Sequence, residues 1–264
     1  MYDDRTVAQT VDAWGALWYA TFRHPRCLPS HVHAMLDELR QDVLWANQEI
    51  ARRGLARFTF GNASAIDRAR RLVVIKPSGV AYDVLRSGDL VVTELSGRVV
   101  EGTLRPSSDL ATHLELYRSF PGIGGVVHTH SPFATVWAQS GREIPCLGTT
   151  HADYFRGAIP VTAPLGREEL EADYEVATGR AISRCFAVIE PLQVPAVLVH
   201  GHASFCWGAT VRSAVETASI LEAVAAMAYR TVSLNPTAAP IADALRERHF
   251  LRKHGPTAYY GQPS

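Results

Sequence analysis

Four histidines stand in two pairs along this 264-residue chain, His128 with His130 and His200 with His202. Each pair closes an apolar run, Val126-Val127 in the first case and Val197-Leu198-Val199 in the second. On an extended strand, side chains two residues apart point to the same face. Two strands that end this way can bring three or four imidazoles to one point. Imidazole is the most common protein ligand for zinc and related metals, and a catalytic zinc needs three protein ligands with one position left open. A single His-x-His on an apolar strand is ordinarily a hydrogen-bonded core feature. Two of them, each at a strand end, point to a metal, with one of the four histidines free to stand aside.

Three other segments carry groups that bind anions. Gly61-Asn62 follows a short apolar stretch, Lys76-Pro77-Ser78-Gly79 ends another, and Pro106-Ser107-Ser108 opens a helix. Free backbone N–H groups at a helix start favour a phosphate, and hydroxyls with a lysine complete such a cup. Taken singly, each segment reads as readily as caps and a solvated lysine. There is no P-loop and no GxGxxG, so a nucleotide is not the obvious anion. Asp109 falls in the first turn of its helix, where a carboxylate complements the dipole or serves a metal beside it. Asp153 lies in a polar stretch with His151, but the pattern alone does not select it over other carboxylates. Tyr260 reads as a tail aromatic docking on a neighbour.

The elements that position these residues follow from periodicity. Val7, Val11, Trp14 and Trp18 make a helical stripe over residues 4–22, and the prolines at 25 and 29 break it. Ser30 offers an N-cap to a second helix that buries Leu36, Leu39, Val43 and Ile50 and ends at Gly54. Short strands are expected at 58–60, 71–76, 89–93 and 99–100, with Gly97 in the turn before the last. A helix runs from Pro106 to about Ser119 and is stopped by Pro121-Gly122. The first histidine strand spans 126–130 and is followed by a helix over 133–140 that Gly141 closes. Residues 148–153 are polar and without periodicity, and 166–178 are charged and helix-prone. The second histidine strand spans 195–200, and helices follow at 213–229 and about 241–253. Strands with interspersed helices indicate α/β or α+β layers in one domain.

Lys plus Arg and Asp plus Glu balance at 26 each, so bulk charge points to neither a nucleic-acid nor a membrane surface. The apolar runs fall far short of the ~20 residues of a membrane span. The start, Met1-Tyr2-Asp3-Asp4-Arg5, lacks the apolar core of a signal peptide. Cys27, Cys146, Cys185 and Cys206 are scattered without a CxxC pair, which fits free thiols in a reducing cytoplasm.

The segments together resemble the class II aldolase/epimerase family, on its pentose-phosphate epimerase branch. The resemblance runs from about Met35 to Gln262. Its carriers are Gly61-Asn62-Ala63-Ser64-Ala65, Ile75-Lys76-Pro77-Ser78-Gly79-Val80, Pro106-Ser107-Ser108-Asp109, Val127-His128-Thr129-His130-Ser131, Gly148-Thr149-Thr150-His151-Ala152-Asp153-Tyr154-Phe155, Val199-His200-Gly201-His202 and Ala258-Tyr259-Tyr260-Gly261-Gln262. It implies a central, mainly antiparallel sheet flanked by helices, and a homotetramer with active sites at subunit interfaces. It implies Zn²⁺ on His128, His130 and His202 with Asp109 beside it, leaving His200 as the bystander. Asn62, Lys76, Ser78, Gly79, Ser107 and Ser108 would hold a substrate phosphate, with His249 close to the site. Asp153 and Tyr260 would be the acid/base pair, Tyr260 coming from a neighbouring subunit. The implied reaction interconverts L-ribulose 5-phosphate and D-xylulose 5-phosphate by breaking and remaking the C3–C4 bond, because C4 bears no acidic proton that a base could remove.

Two rivals are weighed against this. Phosphosugar aldolases of the L-fuculose-phosphate type typically have Glu where this chain has Asp109, and they lack the Thr-His-Ala-Asp-Tyr-Phe block. A non-catalytic binding module of the same fold would lack the metal histidines. An epimerase of a related phosphosugar is a third possibility, since a few hydroxyl contacts set which sugar fits. Residues 1–34 have no counterpart in the usual family member and form an expected helical extension to a domain over 35–264.

Overall fold

The computed structural model describes residues 30–256 and 258–259. The helix expected over 4–22 and the tail residue Tyr260 lie outside the described residues. In chain order the elements are α1 (Ser30–Arg52), β1 (Asn62–Asp67), β2 (Leu72–Ile75), β3 (Val91–Glu94), β4 (Val99–Glu101), α2 (Leu110–Ser119), β5 (Gly125–Thr129), α3 (Pro132–Ser140), α4 (Thr149–Ala152), α5 (Arg167–Ala172), α6 (Tyr174–Cys185), β6 (Ala196–Leu198), β7 (Ser204–Gly208), α7 (Val211–Leu234) and α8 (Asp243–His254). Among the described residues no helix is long and apolar enough to cross a membrane.

The strands form one seven-stranded sheet of order β4-β3-β2-β1-β5-β7-β6, and every neighbouring pair is antiparallel. Its register decides what meets what. Asn62 of β1 stands opposite His128 of β5, and His128 stands opposite Phe205 of β7. Residues paired across antiparallel strands project to the same side, so these three share one face. α2 covers that face, where His113 and Tyr117 meet Ser64 of β1. Phe120 and Phe186 close on Trp207 at centroid distances of 5.2 and 4.9 Å.

α1 and α7 pack on the sheet and on each other. Asn47 of α1 accepts from the Ala63 amide at 2.9 Å and donates to its carbonyl at 3.1 Å. α7 buries Val211, Ala214, Val215, Ala218, Leu221, Val224, Ala225 and Ala228, a stripe at three- and four-residue spacing. It sits on a glycine pair in register, Gly125 opposite Gly208. A Cβ on Gly125 would lie 2.3 Å from the Val211 Cα, a backbone atom that cannot swing away. Gly125→Ala is therefore expected to cost about 1–3 kcal/mol through overpacking. Thermal unfolding checks it, and an unchanged Tm would contradict this seat for α7.

Several elements differ from the sequence expectations. Residues 58–60 are turn and coil, not strand. Phe58 has φ 53, a left-handed value that no strand accommodates, and the strand begins at Asn62. β7 was not expected at all. The second histidine strand ends at Leu198, so His200 and His202 stand in the turn into β7. Residues 148–153 hold the short helix α4. The charged stretch after 166 is two helices, broken where the Asp173 side chain caps α6 by accepting from the Val176 amide at 3.0 Å. α7 begins two residues earlier than expected because Thr210 accepts from the Ser213 amide at 3.1 Å.

Candidate metal centre

His128, His130 and His202 come together, their ring nitrogens all within 4.8 Å of one another. β5 delivers the first pair, with His128 inside the strand and His130 just past its end. His202 arrives by another route. Gly201 has φ 69, a value suited to glycine, and the turn closes with Val199 N–H donating to the Ala203 carbonyl at 2.8 Å. That reversal separates the two side chains that a strand would have kept together. His202 turns toward His128, the rings stacked at 5.0 Å and 9°. His200 stays exposed and rests against Gly141, where a Cβ would lie 2.7 Å from its Nε2.

The donor set fits a divalent ion. Nδ1 of His128 lies 2.9 Å from the Ser204 carbonyl. A carbonyl only accepts, so Nδ1 carries the proton and Nε2 presents a lone pair. That lone pair faces His130 Nε2 at 3.1 Å. Burial pushes the His130 imidazole down from its ordinary range, helped by His128. Burial, with His128 and His130, takes His202 down to about 4. Neutral imidazoles are what a metal requires.

Asp109 stands beside this group as the N-cap residue of α2. Asn62 Nδ2 donates to Asp109 Oδ2 at 2.6 Å and to Ser107 Oγ at 2.9 Å. Burial pushes the Asp109 carboxyl up, but His128, His113, the Asn62 hydrogen bond and His202 outweigh it and hold it below the usual carboxylate range.

The three segments with candidate anion-binding groups also converge. Pro77 and Pro106 form an isolated β-bridge, Ser78 N–H donates to the Arg105 carbonyl and Ser107 N–H to the Lys76 carbonyl, both at 2.9 Å. Ser78, Gly79 and Ser108 are exposed along this double loop. Lys76 is only 2% exposed, and its Nζ meets the Pro77 carbonyl at 3.2 Å and the Tyr82 ring at 5.0 Å. Burial lowers its pKa, because a desolvated ammonium is costly.

Asp153 and His249 form a different group. Arg252 donates to both carboxylate oxygens of Asp153, at 2.9 and 2.6 Å, and His249 Nδ1 lies 3.0 Å from Oδ1. His254 Nε2 reaches the Asp153 carbonyl at 2.9 Å. α4 and α8 thus supply this second group, and the histidine cluster takes no part in it.

The model of the class II aldolase and adducin N-terminal domain family matches residues 41–229. This chain belongs to that family. Within it, the chain is 53% identical over 227 residues to an L-ribulose-5-phosphate 4-epimerase, UlaF, of Salmonella paratyphi B, covering 86% of this chain and 100% of the relative. The UlaF protein of Salmonella choleraesuis matches at the same identity and coverage. Among solved structures, an L-fuculose 1-phosphate aldolase superposes with a TM-score of 0.69 at 23% identity, over 80% of this chain and 94% of that one. The L-fuculose 1-phosphate aldolase of Glaciozyma antarctica PI12 gives 0.67 at 17% identity, over 85% of each chain. At those identities the structures establish the class II aldolase fold alone, with the antiparallel sheet and flanking helices expected for it.

Against that family background, four side chains near the centre escaped the sequence reading. Tyr82 donates its hydroxyl to the carbonyls of Gly61 and Phe60, at 2.7 and 2.9 Å, and so holds the loop before β1. Tyr174 meets the His202 ring at 6.1 Å and Phe60 meets His130 at 6.0 Å. His113 is fully buried behind Asp109. Of these only His113 left a trace in the sequence, its four-residue spacing from Asp109 on one helix face.

Proposed function

We propose that the chain is a divalent-metal-dependent epimerase that interconverts L-ribulose 5-phosphate and D-xylulose 5-phosphate. The identity of 53% across the whole of an epimerase relative carries this reading, and the three-histidine cluster is its chemical counterpart. The metal in this reading is zinc, one per subunit, on His128, His130 and His202 with Asp109 alongside. When bound, such an ion supplies Lewis-acid stabilisation of the negative charge that develops on the sugar oxygens.

The chain's own residues do the rest. Lys76 and Ser107, with the exposed groups of Ser78, Gly79 and Ser108, bind the phosphate, and Asn62 holds Ser107 in place through Nδ2. That anchors the two-carbon aldehyde after C3–C4 cleavage, so it turns over in place and does not diffuse away. Among the described residues Asn62 Oδ1 is buried without a partner, an acceptor for a substrate hydroxyl. Asp153 and Tyr260 take and return the C4 hydroxyl proton from opposite sides, one for each epimer. In this reading the chain forms a homotetramer with active sites at subunit interfaces. In it, the α4–α8 group and Tyr260 of one subunit complete the metal centre of a neighbour. Residues 1–34 then form an extension to a catalytic domain over 35–264, in line with a relative that aligns to 86% of this chain.

Incubation of the purified protein with zinc and L-ribulose 5-phosphate tests the reading. D-xylulose 5-phosphate as sole product is expected. Two free fragments would make it an aldolase, and absence of turnover with metal bound would remove this pentose phosphate as the substrate.

A further inference from the structure

His113 has no part in the metal or phosphate roles above. It sits one helical turn beyond Asp109 on α2 and is fully buried. Its Nδ1 lies 2.7 Å from Ser64 Oγ, which lies 2.8 Å from the Tyr117 hydroxyl. Among the described residues, Nε2 of His113 has no hydrogen-bond partner.

A count of protons orders this chain of contacts. Burial takes the His113 pKa down to about 3 against the pull of Asp109, so the ring is neutral and carries one N–H and one lone pair. Tyr117 and Ser64 each carry one hydroxyl proton, and the order Tyr117 to Ser64 Oγ to His113 Nδ1 pairs both of them. Ser64 then donates to Nδ1, which leaves the imidazole proton on Nε2. This order leaves one group unpaired, the Nε2–H, whereas the reverse would strand both the Tyr117 proton and the Nε2 lone pair in the interior, where unpaired polar groups are costly. Asp109 lies four residues earlier, its carbonyl accepting from the His113 amide at 3.1 Å, so the two side chains are neighbours on one helix face. The His113 ring also meets Phe205 edge-on at 5.9 Å and 72°, and Phe205 stacks on His128 at 4.3 Å and 20°.

We propose that His113 is a positioning residue of the metal centre: the Tyr117–Ser64 relay fixes its proton on Nε2, that N–H dipole steadies the Asp109 carboxylate, and the ring fixes the plane of His128 through Phe205. The catalytic side of this inference rests on the epimerase reading above. Outer hydrogen-bond partners of metal sites act in this way by setting tautomer and orientation. Tyr117 and Ser64 are both fully buried, so neither hydroxyl is open to a substrate and removing either acts on the site through His113.

Histidine-selective ¹⁵N labelling of the zinc-loaded protein reports the tautomer through two-bond couplings. Wild-type His113 is expected as the Nε2–H form. In Tyr117→Phe that single tautomer is lost, kcat falls about ten-fold, KM stays within about two-fold and zinc content is unchanged. Ser64→Ala gives the same pattern and serves if Tyr117→Phe fails to fold. A merely structural role would lower Tm without separating kcat from KM. Nδ1–H in the wild type would overturn the proposal, as would a variant whose tautomer changes while kcat does not. If the wild type fails to turn over L-ribulose 5-phosphate, the epimerase reading falls, while the tautomer measurement still decides the relay.

Discussion

Replacing His128 with asparagine is expected to remove metal and turnover together. His128 is the hinge of the cluster. Its Nδ1 is held by the Ser204 carbonyl, its Nε2 faces His130 at 3.1 Å, and its ring stacks on His202. Asparagine offers no nitrogen lone pair at the Nε2 position. The lost charge stabilisation is worth several kcal/mol, about a thousand-fold or more in kcat/KM. Metal analysis with a steady-state assay reads both quantities. Full zinc occupancy in the variant would reject His128 as a ligand, and loss of zinc with activity retained would reject the metal's part in the reaction.

Asp153→Asn is expected to lower kcat by about 10²–10⁴-fold, the usual worth of a positioned proton carrier, without loss of metal. In the wild type, burial pushes the carboxyl up, but Arg252 and His249 outweigh it and hold it below its ordinary range. The group is therefore ionised at neutral pH, the form a proton acceptor needs, while the same contacts make it a weaker base. The same contacts bear on stability. A carboxyl depressed in the folded state stabilises the fold above its unfolded pKa of about 3.9, and that contribution fades as pH falls through the lower folded value. The asparagine variant lacks this component, so its stability should fall less steeply than the wild type's below about pH 4. Denaturation across that window checks the ion pair and kcat at neutral pH checks the chemistry. Wild-type kcat in Asp153→Asn would exclude it as a proton carrier.

How far the sequence announced this molecule depends on where the interactions are local. The first histidine pair was legible because Val126 and Val127 are buried strand residues and the strand ends within one residue of the expected place. α1 and α7 were legible from their stripes. The second pair was half legible. Its apolar run is a strand, but a shorter one, and Gly201 turns the chain before His202, so one imidazole joins the cluster and one does not. β1 was hidden because Asn-Ala-Ser-Ala-Ile-Asp has little intrinsic strand preference. Its place comes from pairing with β2 and β5 on either side, a tertiary effect that outweighs propensity. Conversely, Phe58-Thr59-Phe60 has strand-like composition, but Phe58 adopts φ 53 and both aromatics remain exposed. The convergence of Asn62, Ser107 and Asp109 is likewise non-local, because it depends on β1 lying beside the start of α2.

X-ray absorption at the zinc edge of the metal-loaded protein tests the central claim most directly. Three imidazole nitrogens at about 2.0–2.1 Å, with the remaining scatterers oxygen, are the expected result. A sulfur scatterer, or fewer than two imidazoles around the metal, would contradict the assignment of His128, His130 and His202 as its ligands.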